Sequence, residues 1–161
     1  MPPITIIEAD LTQPAHQDAI VRLINAYARD PMGNGHDLPA QVCVALIPGL
    51  QQHPTSLVFL AWHGEEAVGI AVCFVGFSTF AARPLINIHD LAVMPAYRQQ
   101  GVGRLLLERV EAKGQELGCC KLTLEVRADN HPAQRLYQHV GFQHIEYGSE
   151  TTRVWFLEKR L

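Results

Sequence analysis

Two apolar, β-prone runs, Leu57 to Trp62 and Ala67 to Phe77, flank the turn-forming His63-Gly64-Glu65-Glu66, which holds this part of the chain to a β-hairpin. The rest must be arranged around that pair. Ahead of it, Ile4 to Ile7 suits a short strand, and Ile20, Leu23, Ile24 and Tyr27 recur at helical spacing after Pro14. The run Asp30-Pro31-Met32-Gly33-Asn34-Gly35 stops that helix. Leu38, Val42, Leu46 and Leu50 mark a second helix expected to end near Pro48-Gly49. Behind the hairpin, Ile86 to Val93 reads as a strand entered through Arg83-Pro84 and left through Met94-Pro95. Val102, Leu105, Leu106, Val110 and Leu117 keep a period near 3.6, and Gly118 closes that helix. Leu122, Leu124 and Val126 alternate as in a strand, Asn130 caps a helix carrying Ala133, Leu136, Tyr137 and Val140, and Thr152 to Leu157 reads as a last strand. The order is that of a mixed α/β (α+β) domain with no internal repeat or linker, so residues 1–161 are expected to form one domain.

At 161 residues and 48% hydrophobic, the chain is long enough to bury a substantial core without disulfide or metal support. A net charge of −3 with scattered Lys and Arg lacks the basic excess that counterion release demands, which sets nucleic acid aside as a partner. Cys43, Cys73, Cys119 and Cys120 read as reduced thiols: the last two are sequence neighbours, and no Cys-x-x-Cys spacing offers a metal site. Met1-Pro2-Pro3-Ile4 does not open a leader, and no window approaches the roughly 20 apolar residues of a membrane span, so the expectation is a soluble cytoplasmic protein with no membrane partner.

The segment richest in chemical meaning is Arg98-Gln99-Gln100-Gly101-Val102-Gly103-Arg104, between a strand and the start of a strong helix. A helix N-terminus offers unpaired N–H groups and the positive end of the dipole, and glycine lets an anion approach that backbone closely. The Walker pattern Gly-x-x-x-x-Gly-Lys-Ser/Thr and the Rossmann pattern Gly-x-Gly-x-x-Gly are both missing. Taken alone, the two glycines would also suit a plain structural turn.

A second segment, Asn130-His131-Pro132-Ala133-Gln134-Arg135-Leu136-Tyr137-Gln138-His139-Val140-Gly141-Phe142, accompanies the first. Arg-x-x-Gly-x-Gly after Asp90-Leu91-Ala92-Val93, paired with Asn-x-x-Ala-x-x-Leu-Tyr-x-x-x-Gly-Phe, strongly resembles the GNAT superfamily of acetyl-CoA-dependent N-acetyltransferases over Ile86 to Phe142. The resemblance implies a mostly antiparallel twisted sheet, flanked by helices and splayed where acetyl-CoA lies as cosubstrate, with no metal. It implies that the pantetheine bonds to the backbone of Leu91, Ala92 and Val93 and that the pyrophosphate rests on Gln99, Gln100, Gly101, Val102, Gly103 and Arg104, next to Arg98. It further implies that Asn130 bonds the pantetheine side of the cofactor and that Tyr137 aims its hydroxyl at the sulfur. By residue preference alone, Asn130 would be a helix cap and Tyr137 a packed aromatic.

Acetyl transfer to an amine needs a deprotonated amine, a polarised carbonyl and a proton for the departing thiolate. A phenol with a pKa of about 10 suits the last task, which assigns Tyr137 as general acid. His89 and Asp90 stand just before the cofactor backbone. Neighbouring residues of a regular strand face opposite sides, so the two act together only if a bulge re-aims them. His89 is the favoured base because an imidazole titrates near neutral pH, Asp90 is then structural, and a water chain remains a third route. Phe77-Ser78-Thr79-Phe80 followed by His89-Asp90 looks like the spermidine/diamine acetyltransferase branch, which has Tyr-Ser-Thr-Trp and Glu-Asp there; His89 stands in place of the Glu. His-x-Leu-Ala-Val and Arg-Gln-Gln-Gly also resemble arylalkylamine acetyltransferases. The expected partner is a small-molecule amine, with a peptide or protein acceptor, or a non-catalytic acyl-CoA-binding module, as alternatives. The resemblance also admits a homodimer.

Overall fold

The computed structural model describes residues 2–143. Five strands form one sheet in the order of the chain: β1 (Ile4–Glu8), β2 (Ser56–His63), β3 (Glu66–Ser78), β4 (Arg83–Val93) and β5 (Leu122–Leu124). Neighbours run antiparallel except β4 and β5, which are parallel. A parallel pair needs a long crossover, and α3 (Val102–Glu116) lies within it. Two helices, α1 (Pro14–Arg29) and α2 (Ala40–Gln52), precede the hairpin, and α4 (His131–His139) follows β5.

The central strands read as continuous apolar runs because both faces are covered. Val58, Leu60, Ile70 and Val72 pack with Ala19, Ile20 and Leu23 of α1 and Ile47 and Leu50 of α2. The alternate residues Phe59, Ala61, Ala71 and Cys73 pack with Val102, Leu106, Leu107 and Val110 of α3, where Leu136 and Tyr137 of α4 join them. The hairpin forms as expected. Its turn is the two residues Gly64 and Glu65, with Gly64 at φ +62° supplying the left-handed conformation that such a turn requires.

Three expected boundaries are corrected. The second helix starts at Ala40 and does not stop near Pro48-Gly49 but runs through Pro48 to Gln52. Pro48 removes the amide that would bond the carbonyl of Val44, but this falls on the exposed side of the helix, where Val44 is 78% exposed, while buried Ile47 and Leu50 anchor the helix on both sides. The strand expected from Ile86 begins at Arg83, because Arg83 and Pro84 pair with Ser78 and Phe77. The strand expected from Leu122 to Val126 ends at Leu124, where its ladder with β4 ends. The strand expected over Thr152 to Leu157 lies outside the described residues.

Candidate active site

The site grows from an irregularity in β4. Val72 of β3 pairs with Asp90 whereas its neighbour Cys73 pairs with Ile88, so His89 is an extra residue and β4 bulges there. Ile88 and Leu91 consequently both pack toward α3, although they are three apart. His89 turns to the opposite face, where its ring meets Phe74 edge-on at 5.6 Å, and Phe74 packs with the α1 and α2 layer. Asp90 follows on the same bulge. The bulge is the one condition under which the sequence allowed these two side chains to act together.

The same place opens the sheet. Pairing between β4 and β5 covers only Ile86, Ile88 and the Asn87 between them, against Leu122 to Leu124, while β3 accompanies β4 as far as Val93. Beside Leu91, Ala92 and Val93, among the described residues, the sheet therefore has a gap on the β5 side. Tyr137 of α4 packs against the same α3-side core cluster as Leu91 and Val93. Its ring meets Phe142 edge-on at 5.8 Å. Burial pushes the Tyr137 phenol up to about 12, with the Tyr27 hydroxyl adding to the effect.

Below the gap lies the first turn of α3. Gly101 sits at φ +83° with nothing within 4 Å of where a Cβ would stand. The first helical bond runs from Leu105 N–H to the Gly101 carbonyl, and no side chain caps this end. The amides of Val102, Gly103 and Arg104 are thus left for an outside acceptor, which fits a pyrophosphate. Gly103 faces elsewhere, since its Cβ would meet Leu136 of α4 at 2.9 Å.

The other residues expected around the pyrophosphate have partners of their own. Arg98 donates from Nε to the Val93 carbonyl at 3.0 Å and from Nη2 to Asp30 at 2.6 Å, so it clamps the turn to the end of β4 and to the loop after α1. Gln100 donates to the Ala96 carbonyl, Arg104 pairs with Glu108 along the helix, and Gln99 takes a left-handed φ of +60°. Asn130 caps α4, its Oδ1 accepting from Ala133 N–H at 3.3 Å.

Two features lay beyond sequence reasoning. Tyr27, read from the sequence only as part of the α1 stripe, stands near both Asp90 and Asp30, and burial followed by their negative charges raises its phenol pKa. The Asp90 carboxyl is itself raised by burial, against an opposing effect of His89. Second, a groove of about 690 Å³ runs between α2 and the sheet, lined among others by Val42, Leu46, Leu50, His53, Phe74 and His89. A smaller cavity of about 380 Å³ lies at the opposite, β1 edge beside Trp62, away from the titratable side chains above. The described residues contain no helix long and apolar enough to cross a membrane and no group of three or more His, Cys, Asp or Glu side chains able to hold a metal ion.

Comparison with known proteins bears on the family and the fold. The family model described as "Acetyltransferase (GNAT) family" matches residues 20–142. The aminoglycoside N(6')-acetyltransferase type 1 of Salmonella typhimurium is 31% identical over 77 residues, 48% of this chain and 49% of that protein. The thialysine N-epsilon-acetyltransferase of Mus musculus is 32% identical over 82 residues, 51% of this chain and 48% of its own length. The chain thus spans about half the length of the curated relatives it matches. Among solved structures, the complex of AAC(6')-Iy with a CoA bisubstrate analogue superposes with a TM-score of 0.75 at 22% identity, covering 99% of each chain, which establishes a common fold.

Proposed function

The chain belongs to the acetyltransferase (GNAT) family, and from that premise we propose that it is an acetyl-CoA-dependent N-acetyltransferase acting on a primary amine of a small molecule. The observation that carries this reading is the coincidence, on β4, of the bulge at His89 with the end of pairing to β5 at Ile88. The bulge re-aims His89 toward the α2 groove with Asp90 next to it in sequence, and the gap leaves the backbone that follows them without a β5 partner. The relatives named for aminoglycoside and thialysine acetylation support a small-molecule acceptor.

Acetyl-CoA, when bound, supplies an acetyl group already activated as a thioester. The open amides at the start of α3 and the free space at Gly101 hold its pyrophosphate, and the backbone of Leu91, Ala92 and Val93 holds the pantetheine and polarises the carbonyl. Asp90 and the edge of His89 receive the acceptor's amine. His89, exposed on the groove side, takes the proton that the nitrogen loses as the C–N bond forms. Tyr137 gives its proton to the sulfur as the C–S bond breaks. A phenol near 12 is a weaker acid than an ordinary one, but a thiolate in the same desolvated gap is a stronger base than in water, so the two remain matched. Arg98 keeps the α3 turn in register with β4 through Val93 and Asp30.

Calorimetric titration with acetyl-CoA, followed by a thiol-release screen over small amines, tests this reading. Saturable acetyl-CoA binding and release of thiol that depends on an amine are expected. Failure of acetyl-CoA to bind the folded protein overturns it.

A further inference from the structure

Arg98 is held from a part of the chain that motif spacing does not reach. Its Nη2 donates to Oδ2 of Asp30 at 2.6 Å and its Nε to the Val93 carbonyl at 3.0 Å. Asp30 closes α1 on a firm base: its N–H donates to the Tyr27 carbonyl, and its own carbonyl accepts from Gly33 N–H at 2.8 Å. Gly33 lies so close to the Tyr27 carbonyl that no Cβ fits there, which keeps the turn carrying the carboxylate tight. Oδ1 of Asp30 accepts from Met32 N–H at 2.9 Å, so each carboxylate oxygen has its own donor. The Asp30 side chain is 14% exposed and that of Arg98 49%, which makes the carboxylate the anchored member of the pair and the guanidinium the held one. Burial opposes the charge on Asp30, but the bonds from Arg98 and Met32 keep its carboxyl below the ordinary range.

The backbone that follows Arg98 needs such holding. Gln99 at φ +60° and Gly101 at φ +83° are both left-handed, and a non-glycine residue keeps that conformation only where its surroundings impose it. Those two residues set the direction in which the first turn of α3 presents its amides.

We propose that Asp30 is a positioning residue of the cofactor site: acting through Arg98, it fixes the turn that presents the α3 amides to the acetyl-CoA pyrophosphate, and so raises affinity for a polyanion although it is itself an anion. The inference rests on the acetyltransferase reading above and extends it to a residue outside both sequence motifs, 68 positions before Arg98. Charge alone predicts the opposite sign. A carboxylate near a pyrophosphate repels it and keeps a guanidinium from the phosphate oxygens, so removing the charge of a bystander would tighten binding. Removing a residue that positions the turn weakens binding, because the amides lose their common direction before the ligand arrives.

The test is calorimetric titration of acetyl-CoA into wild type, Asp30→Asn, Arg98→Ala and the double variant, each shown by thermal melting to be folded. Asn keeps one acceptor for Met32 N–H and turns an NH2 group toward the guanidinium, so Asp30→Asn breaks the Arg98 link while leaving the turn capped. That substitution is expected to weaken acetyl-CoA binding about fivefold or more, and to change nothing further once Arg98 is replaced by Ala. In the thiol-release assay the loss should fall on KM for acetyl-CoA with kcat kept. Arg98→Lys keeps the charge but not the planar fork that reaches two acceptors, and it should weaken binding by a similar factor whether or not Asp30→Asn folds. Tighter or unchanged binding in Asp30→Asn, the same effect of Asp30→Asn with and without Arg98, a fall in kcat with KM unmoved, or wild-type affinity in Arg98→Lys overturns the inference with the acetyltransferase reading intact. Absence of acetyl-CoA binding to folded wild type overturns that reading itself, and the inference falls with it.

Discussion

A Cβ on Gly103 would stand 2.9 Å from Cδ2 of Leu136, so a side chain there would force Leu136, on the helix carrying Tyr137, to shift. Gly101, two residues earlier, borders open space at φ +83°. Two glycines that look alike in sequence are therefore constrained by different things, one by a neighbouring helix and the other by its own backbone. Gly103→Val should lower stability by about 1–3 kcal/mol through overpacking and reduce turnover by displacing α4. Gly101→Val should cost about 1–2 kcal/mol for the left-handed conformation and weaken acetyl-CoA binding beyond that loss. Chemical denaturation of both variants, with calorimetric titration of acetyl-CoA, separates them. Equal stability and equal affinity in the two would refute the distinction.

Tyr137→Phe isolates one hydroxyl, because the ring still packs against Phe142 and the α3 core. Loss of a general acid is expected to reduce kcat by roughly a hundredfold, with acetyl-CoA affinity unchanged. Since the phenol is pushed up to about 12, the wild-type enzyme should also show no alkaline loss of rate from this group below about pH 11. A variant that keeps full turnover while chemistry limits the rate would return Tyr137 to a packing role.

Asp90 makes stability depend on pH with a sign opposite to that of an ion-paired carboxylate. Burial raises its folded-state pKa above the ordinary value, so between those two values the folded chain holds more proton than the unfolded one. Stability contributed by the protonated form is present below the ordinary carboxylate pKa and is lost as pH rises through the raised one. Asp90→Asn should therefore raise the melting temperature near neutral pH and remove that part of the decline. Melting curves of wild type and variant recorded from pH 4 to 7 check this; parallel profiles would show that the carboxylate carries no such penalty.

Much of the scaffold was legible because its signals are local. The stripe of Val102, Leu106 and Val110, the cap at Asn130 and the turn at Gly64 depend on residues within a few positions of one another. The motif residues Leu91 to Val93, Gly101 and Tyr137 were singled out as site candidates the same way, by spacing and resemblance. The sequence could state that His89 and Asp90 act together only across a bulge, but not that a bulge exists, since that depends on how β4 registers with β3. Likewise the strand signal through Val126 outran β5, which ends where its parallel partner is lost. Arg98, placed by its motif beside a phosphate, is drawn to Asp30, 68 residues away, because the fold brings a carboxylate within reach of its guanidinium. His53, Phe74 and His89 come from three separate elements and carry no common spacing. Near-neighbour chemistry writes periodicity, caps and turns into the chain itself, whereas register, gaps and grooves exist only once strands and helices distant in sequence have packed against one another.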